Sequence, residues 1–176
     1  MGLVHIYCGD GKGKTSAAVG LAVRAAGCGK RVVIARFLKT DNSGEVEILK
    51  KIPEVTLIPC RKTFGFVRSM DEETKRECAA YHRELFGEAV KLAEHADLVV
   101  FDEIMAAVNY GMVPERDVLE FLENRPGRDQ MDGLEIVLTG RDPSEKLIAA
   151  ADYVSEICKR KHPFDRGIMA RRGVEY

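Results

Sequence analysis

One short segment near the start of the chain limits the possible folds more than any other. Residues 9–16 read Gly-Asp-Gly-Lys-Gly-Lys-Thr-Ser, after the apolar run 3–7 and before the alanine-rich segment 17–26. A strand, a glycine-rich loop and a helix in this order form a phosphate cradle, in which backbone N–H groups and a helix N-terminus face an anion. The sequence therefore predicts a P-loop-like turn. The alternative is a glycine-rich strand-to-helix turn whose basic side chains face water.

The spacing of this loop departs from that of the common Walker A motif. Cys8 stands where G-x-x-x-x-G-K-[ST] would have its first glycine, and Gly9 follows one position later. The Lys14 ammonium adds a point charge, and the Thr15 hydroxyl can bind a Mg²⁺ ion carried by the phosphates. The residues that we expect to bind ATP in this loop are Gly9, Asp10, Gly11, Lys12, Gly13, Lys14 and Thr15.

Apolar runs alternate with helical patterns along the rest of the chain. We expect further strands at 31–38, 55–59, 98–101 and 134–138, and a weaker one at 153–158. Helices are expected at 17–26, 71–94, 114–122 and 143–151. This alternation predicts an α/β fold with a doubly wound, mostly parallel sheet of the P-loop NTPase (RecA-like) type, in which ligands bind at the carboxyl ends of the strands. A length of 176 residues suits one domain, 1–176.

Composition excludes several classes of partner. The 27 basic and 28 acidic side chains nearly cancel, so net charge does not indicate a nucleic acid as the main partner. The five cysteines are far apart and form no C-x-x-C pair, which favours a reduced, cytoplasmic protein. Apolar runs are too short to span a membrane, and the first strand begins too early for a cleaved leader. We therefore expect a soluble, unprocessed chain with no membrane partner.

Two polar segments follow apolar strands and are candidates for the same site. Asp102 and Glu103 come directly after the strand 98–101, as the carboxylates of a Walker B metal site do, and could hold Mg²⁺. The alternative is that Asp102 caps the next segment. Arg141 lies in Thr139-Gly140-Arg141 after another strand and could bind phosphate, or it could be a solvated side chain in a helix-cap turn.

Two further segments carry aromatic or basic side chains. Phe64 and Phe66 flank a glycine and could grip a flat ligand, although the sequence alone favours burial in the core. The basic stretch 159–172 ends in Gly-Val-Glu-Tyr at 173–176, which indicates an ordered segment rather than a solvated tail. A structural or cationic role is expected for His162, because no second histidine stands near it.

These segments together resemble the ATP:corrinoid adenosyltransferase family, of the type that acts on cob(I)yrinic acid a,c-diamide and related corrinoids. The resemblance runs almost from end to end of the chain. It rests on G-D-G-K-G-K-T at 9–15, R-F-L-K at 36–39 with Gly44-Glu45, G-F at 65–66, V-V-F-D-E at 99–103, R-P-G at 125–127, T-G-R at 139–141, K-H-P-F at 161–164 and G-V-E-Y at 173–176.

The resemblance implies a reaction and its participants. The 5′-deoxyadenosyl group of ATP moves to the Co(I) of a reduced corrinoid, such as cob(I)yrinic acid a,c-diamide, cobinamide or cobalamin, and triphosphate leaves. In this family ATP lies reversed across the loop, which agrees with the shortened spacing. Catalytic roles are implied for Lys14, Glu103 and Phe66, and a metal site for Thr15, Asp102 and Glu103 with Mg²⁺. An electron donor for Co(I) and a homodimeric state are also expected.

Some positions depart from the family pattern, and other functions stay open. Arg68 stands where the family has a tryptophan two residues after the phenylalanine of G-F. Arg36 and Arg171 replace glutamines, which favours a corrinoid with free carboxylates. One rival is another P-loop small-molecule kinase or ATPase, which would release ADP. A second rival is a module that binds corrinoid and ATP with little turnover.

Overall fold

Six strands lie side by side in one parallel sheet. The structure is a computed structural model that describes residues 2–128, 130 and 132–175. The strands are β1 Val4–Cys8, β2 Val32–Arg36, β3 Val55–Leu57, β4 Leu98–Asp102, β5 Glu135–Thr139 and β6 Tyr153–Glu156. Their order is β3-β2-β4-β5-β1-β6, and each neighbouring pair is parallel. The predicted strands and their parallel arrangement are confirmed, although several end earlier than their apolar runs.

Helices connect the strands. They are α1 Lys14–Gly27, α2 Gly44–Leu49, α3 Glu72–Ala93, α4 Ile104–Asn109, α5 Glu115–Glu123 and α6 Glu145–Ala149. The sequence predicts α1, α3, α5 and α6 but not α2 and α4, since six residues are too few to show a helical period. Among the residues that the structure describes, no helix is long and apolar enough to cross a membrane.

Both faces of the sheet are buried. Along β2, Val32 and Ile34 pack with Ala18 of α1 on one face. The alternate residues of that strand, among them Val33, pack with Leu85 of α3 on the other. Because successive side chains of a strand point to opposite faces, a strand covered on both sides is apolar throughout. The prediction of a doubly wound α/β sheet is confirmed.

Strand order decides which residues meet at the carboxyl edge of the sheet. Strand β5 lies between β1, which leads into the glycine-rich loop, and β4, which ends at Asp102. Thr139 at the end of β5 therefore stands between the loop and the Asp102 carboxylate. On the other side of β4, Arg36 of β2 is in register with Asp102. Side chains from four segments can thus converge at this edge.

Candidate active site

Residues 9–13 turn the chain from β1 into α1. Gly9 and Gly13 have φ angles of 103° and 121°, which glycine adopts at no steric cost. Lys14 is the first residue of α1, and its Nζ donates a hydrogen bond to the Gly11 carbonyl oxygen at 2.8 Å. Burial lowers the pKa of Lys14, while the charge of Glu103 acts in the opposite direction. The strand, loop and helix predicted from the sequence are confirmed, with the lysine folded over the loop.

The chain after β6 packs directly against this loop. The Gly11 N–H donates to the Ile157 carbonyl oxygen at 2.7 Å. A Cβ atom at Gly9 or Gly11 would lie 2.5 or 2.6 Å from that oxygen, so both positions require glycine for this approach. The expectation that the Gly11 N–H faces an anion is therefore wrong for this structure, because Ile157 already accepts its hydrogen. The Lys159 N–H donates to the Asp10 carboxylate at 2.7 Å and lowers the pKa of Asp10.

The C-terminal segment 168–175 adds a second contact with the loop. Lys12 Nζ donates to Glu175 Oε1 at 3.0 Å, and the Arg171 guanidinium also binds Glu175. Together these hydrogen bonds lower the pKa of Glu175 to about 2, with Arg171 the largest cause. An ordered C-terminal segment is confirmed up to Glu175, while Tyr176 lies outside the described residues. Arg171 therefore binds a carboxylate of the chain itself in this structure.

A buried carboxylate joins the loop to the centre of the sheet. Asp102 is 2% exposed, and its Oδ1 accepts hydrogen bonds from Thr15 Oγ1 at 3.0 Å and Thr139 Oγ1 at 2.7 Å. Its Oδ2 accepts one from Lys39 Nζ at 2.5 Å. The alternative in which Asp102 caps the next helix is wrong, because its oxygens bind two hydroxyls and an ammonium. Thr15 and Asp102, both predicted metal ligands, are brought into direct contact.

This group of side chains suits a hard divalent cation. Mg²⁺ prefers oxygen ligands, and it commonly uses one or two carboxylates together with phosphate and water. The positive ammonium of Lys39 already lies between the hydroxyl of Thr15 and the carboxylate of Asp102, which shows that the position favours a cation. Among the described residues there is no group of three or more His, Cys, Asp or Glu that could hold a metal by itself. The chemistry therefore fits a metal that arrives with a nucleotide.

Glu103 occupies an unusual backbone conformation next to this carboxylate. Its φ of 64° is in the left-handed region, which is uncommon for residues other than glycine. Its N–H donates to Thr139 Oγ1 at 2.8 Å, which fixes the turn from β4 into α4. The same threonine thus holds both carboxylate residues in place. The charge of Glu103 raises the pKa of Lys14, against the larger effect of burial.

Arg141 follows β5 in a turn that is fixed from two sides. Asn109 Nδ2 donates to the carbonyl oxygens of Arg141 and Asp142, each at 3.1 Å. Gly140 has a φ of 140°, and a Cβ atom there would lie 2.5 Å from the Cβ of Met105. The exposed Arg141 lowers the pKa of both Asp10 and Lys14 by its charge. Its guanidinium is exposed, and its role in binding phosphate stays a prediction.

A cavity of about 870 Å³ opens beside the loop. Its walls come from the start of α1, the loop after β2, the start of α2 and the C-terminal residues 173–175. Thr15 and Lys39 both line it, so the hydroxyl and ammonium that bind Asp102 border its interior. Sites for small molecules and cofactors span roughly 300 to 1,000 Å³, and this cavity is large enough for a nucleotide.

The two phenylalanines of the G-F segment have different environments. Phe66 is 88% exposed, whereas Phe64 is half-buried, with its ring centroid 5.7 Å from that of Tyr81. A role in the core is confirmed for Phe64 and wrong for Phe66. Gly65, which lies between them, has a φ of 78°, so the chain turns there and the two rings face different surroundings. Phe66 is therefore free to contact a ligand.

Arg36 does not reach outward from the end of β2. Its side chain is 3% exposed, and it donates to the Thr40 carbonyl oxygen at 2.8 Å and to the Asp41 carboxylate. Asp41 also accepts the Cys60 N–H at 3.2 Å, so the arginine links two loops at the edge of the sheet. The Arg36 guanidinium therefore does not point outward in this structure, and the preference for a corrinoid with free carboxylates stays a prediction.

Sequence reasoning missed Lys39 and Ile157 as parts of this site. Lys39 belongs to the R-F-L-K motif, and its role depends on the pairing of β2 with β4. The available signal was its position three residues after a buried strand, at the edge where Asp102 was already expected. Ile157 contributes only its carbonyl oxygen, which no side-chain pattern reports.

Comparisons with known proteins agree over the whole chain. The family model described as "ATP:corrinoid adenosyltransferase BtuR/CobO/CobP" matches residues 1–176. A protein of Escherichia coli K12 named corrinoid adenosyltransferase is 33% identical over 178 residues, covering 99% of this chain and 86% of its own length. Corrinoid adenosyltransferase CobA of Salmonella typhimurium is also 33% identical, with the same coverage. A corrinoid adenosyltransferase of Pseudomonas aeruginosa is 31% identical over 99% of this chain and 84% of its own length.

Proposed function

Because the chain belongs to the ATP:corrinoid adenosyltransferase family, we propose that it transfers the 5′-deoxyadenosyl group of ATP to the Co(I) of a reduced corrinoid and releases triphosphate. In this reaction the electron pair of Co(I) forms a bond to C5′. The C5′–oxygen bond breaks, and its electron pair leaves with triphosphate. No nucleophile from the protein is required, since the substrate supplies it.

The contact between the phosphate loop and the buried carboxylate carries this proposal. Thr15 Oγ1 and Asp102 Oδ1 are 3.0 Å apart, and Thr15 lines the nucleotide-sized cavity. This arrangement supports binding of a metal-bound triphosphate, with the adenosyl group in the cavity. The family match then favours transfer of the adenosyl group rather than a phosphoryl group.

Charged groups of the loop would stabilise the leaving triphosphate. Negative charge on it rises as C5′ departs, and preorganised cations near developing charge lower the barrier. We assign this role to Lys14 and Lys12, with Arg141 adding its charge from the turn after β5. Lys12 binds Glu175 in this structure, so it would leave that carboxylate when it binds the nucleotide.

Magnesium would complete the same site. We assign Thr15 and Asp102 as the residues that hold Mg²⁺, with Glu103 as a further carboxylate near it. When bound, the ion would neutralise charge on the phosphate oxygens. Thr139 positions both acidic residues, because its hydroxyl donates to Asp102 Oδ1 and accepts the Glu103 N–H.

Phe66 is assigned to the corrinoid. Its exposed ring can cover one face of a flat macrocycle and exclude water from Co(I). Candidate corrinoids are cob(I)yrinic acid a,c-diamide, cobinamide and cobalamin. Arg68, where the family has tryptophan, is also exposed and would leave the second aromatic contact absent.

Three further proposals concern the surroundings of the enzyme. A separate electron donor is needed, because the reaction consumes Co(I). The free state of the five cysteines supports a reducing compartment, the cytoplasm. Tyr153 and Val154 are exposed on the edge strand β6, where a second copy of the chain could cover them, and this supports a homodimer. Light scattering after size exclusion measures the mass of the assembly.

The test is to identify both products. Purified protein is incubated with ATP, Mg²⁺ and chemically reduced cobinamide or cobyrinic acid diamide. We expect a light-sensitive absorbance spectrum of the Co–C product and an equal amount of triphosphate. Release of ADP without that product would favour a kinase or ATPase, and binding of both substrates without turnover would favour a binding module. Thr15→Val removes the hydroxyl assigned to Mg²⁺ and keeps the shape of the side chain, so this variant should form less of both products.

A further inference from the structure

The Lys39 ammonium binds the same two protein oxygens that a divalent cation would use. Its Nζ lies 2.7 Å from Thr15 Oγ1 and 2.5 Å from Asp102 Oδ2. Thr15 Oγ1 donates its own hydrogen to Asp102 Oδ1 at 3.0 Å, so the lysine uses a lone pair of that hydroxyl. A metal ion held by Thr15 and Asp102, as proposed above, would need this lone pair and a carboxylate oxygen of Asp102. Because two cations in one place repel each other, they cannot be bound there together.

Asp102 accounts for the presence of a cation at this position. Its carboxylate is 2% exposed, and both hydrogen bonds to Oδ1 come from neutral hydroxyls, those of Thr15 and Thr139. A buried charge without a counter-ion is strongly unfavourable. Lys39 supplies that counter-ion from the loop that follows the neighbouring strand β2. The lysine therefore stabilises the buried charge of Asp102.

The backbone of Lys39 is fixed, but its side chain borders open space. Leu38 has a φ of 52°, and Cys60 Sγ donates to the Lys39 carbonyl oxygen at 3.2 Å. The side chain of Lys39 is 26% exposed and lines the cavity of about 870 Å³. The ammonium is carried on a flexible four-carbon stem. It can therefore leave Asp102 and enter the cavity while the main chain stays in place.

We propose that Lys39 is a displaceable counter-ion that competes with the divalent metal for Thr15 and Asp102. The metal binds weakly to the protein alone, because it must first displace the ammonium. A nucleotide in the cavity relieves this cost, since its phosphate oxygens accept the displaced ammonium. Metal and nucleotide therefore strengthen each other's binding, as reciprocal coupling requires. This inference rests on the proposed function in one respect: it takes Thr15 and Asp102 to be the metal ligands.

The experiment measures metal binding without nucleotide. Mn²⁺ is used as the probe for Mg²⁺, and free Mn²⁺ is followed by electron paramagnetic resonance during titration of the full chain. Lys39→Met should bind Mn²⁺ about tenfold more tightly than the unmodified protein, because the competing charge is lost. Lys75→Met is the matched control, since Lys75 forms an exposed ion pair with Glu72 at 2.7 Å. Its affinity for Mn²⁺ should be unchanged.

Equal Mn²⁺ affinity for Lys39→Met and the unmodified protein would overturn the competition. If the variant fails to fold by circular dichroism, the unmodified protein provides the answer through reductive methylation read by mass spectrometry. Saturating Mn²⁺ should raise methylation of Lys39 and leave Lys75 unchanged, and no rise at Lys39 would refute the proposal. Formation of adenosylated corrinoid is measured separately. If Lys39 does not compete with Mn²⁺ but adenosylated corrinoid still forms, this inference alone is rejected. If Lys39 competes with Mn²⁺ but no adenosylated corrinoid forms, the proposed function is rejected.

Discussion

Replacement of Phe66 by alanine separates a ligand contact from a structural role. Phe66 is 88% exposed, so about one eighth of a surface of roughly 200 Å² is buried. At about 25 cal/mol per Å², this burial contributes only ~0.6 kcal/mol to the free energy of unfolding. Phe101 is 0% exposed, and Phe101→Ala should cost about 3 to 5 kcal/mol. Urea unfolding of both variants measures the difference directly.

The effect of Phe66→Ala on activity should be larger than its effect on the free energy of unfolding. If the ring is fully covered by the corrinoid, its loss costs roughly 1.5 to 3 kcal/mol of binding, or about 10- to 150-fold in kcat/KM. We expect Phe66→Ala to impair cobalamin, which has a lower axial base, more than cobinamide, which has none to displace. Arg68→Trp should improve the base-bearing substrate selectively. A loss of more than about 2 kcal/mol in the free energy of unfolding of Phe66→Ala would refute the ligand contact, and so would adenosylation of all corrinoids at the normal rate.

Three other changes test separate parts of the account. Lys14→Ala should lower kcat/KM by about 100-fold or more, since removing one donor to developing charge costs ~3 kcal/mol; near-normal turnover of the folded variant would reject the phosphate site. Gly11→Ala should destabilise by about 1 to 3 kcal/mol in urea, because its Cβ would lie 2.6 Å from the Ile157 oxygen. Gly87→Ala, with open space around it, is the control, and equal behaviour would contradict the close approach. Burial lowers the pKa of His82 from 6.5 to about 4. As the pH falls, the unfolded chain therefore takes up this proton before the folded chain does. The free energy of unfolding should fall by about 3 kcal/mol between about pH 7 and pH 4. His82→Leu should remove that loss, and an unchanged pH dependence of unfolding would assign it elsewhere.

Local patterns in the sequence were sufficient for most of the fold. The apolar runs identify the strands because both faces of the sheet are buried. The long helix expected at 71–94 begins where Asp71 can cap it, and the Asp71 carboxylate accepts the Thr74 N–H at 2.8 Å. The glycine-rich loop was located from its strand and helix context. Thr15 and Asp102 were chosen separately, and the strand order brings them together.

The missed features depend on contacts between distant segments. Lys39 meets Asp102 because β2 pairs with β4, and a single sequence does not state strand order. The Gly11 N–H is directed to Ile157, 146 positions later, so loop geometry alone could not show its partner. The sequence suggests a substrate carboxylate as the partner of Arg36, whereas the structure pairs it with the nearby carboxylate of Asp41. Phe66 was expected in the core because large aromatic side chains usually are buried, but Gly65 turns the chain outward.

The most direct test of adenosyl transfer follows the carbon that changes partners. ATP labelled with ¹³C at C5′ is incubated with the protein, Mg²⁺ and reduced cobinamide, and the products are followed by ¹³C and ³¹P nuclear magnetic resonance. Adenosyl transfer predicts a new ¹³C signal from carbon bound to cobalt and one triphosphate for each corrinoid converted. A label that stays in ADP or in unreacted ATP, with no carbon bound to cobalt, would contradict it.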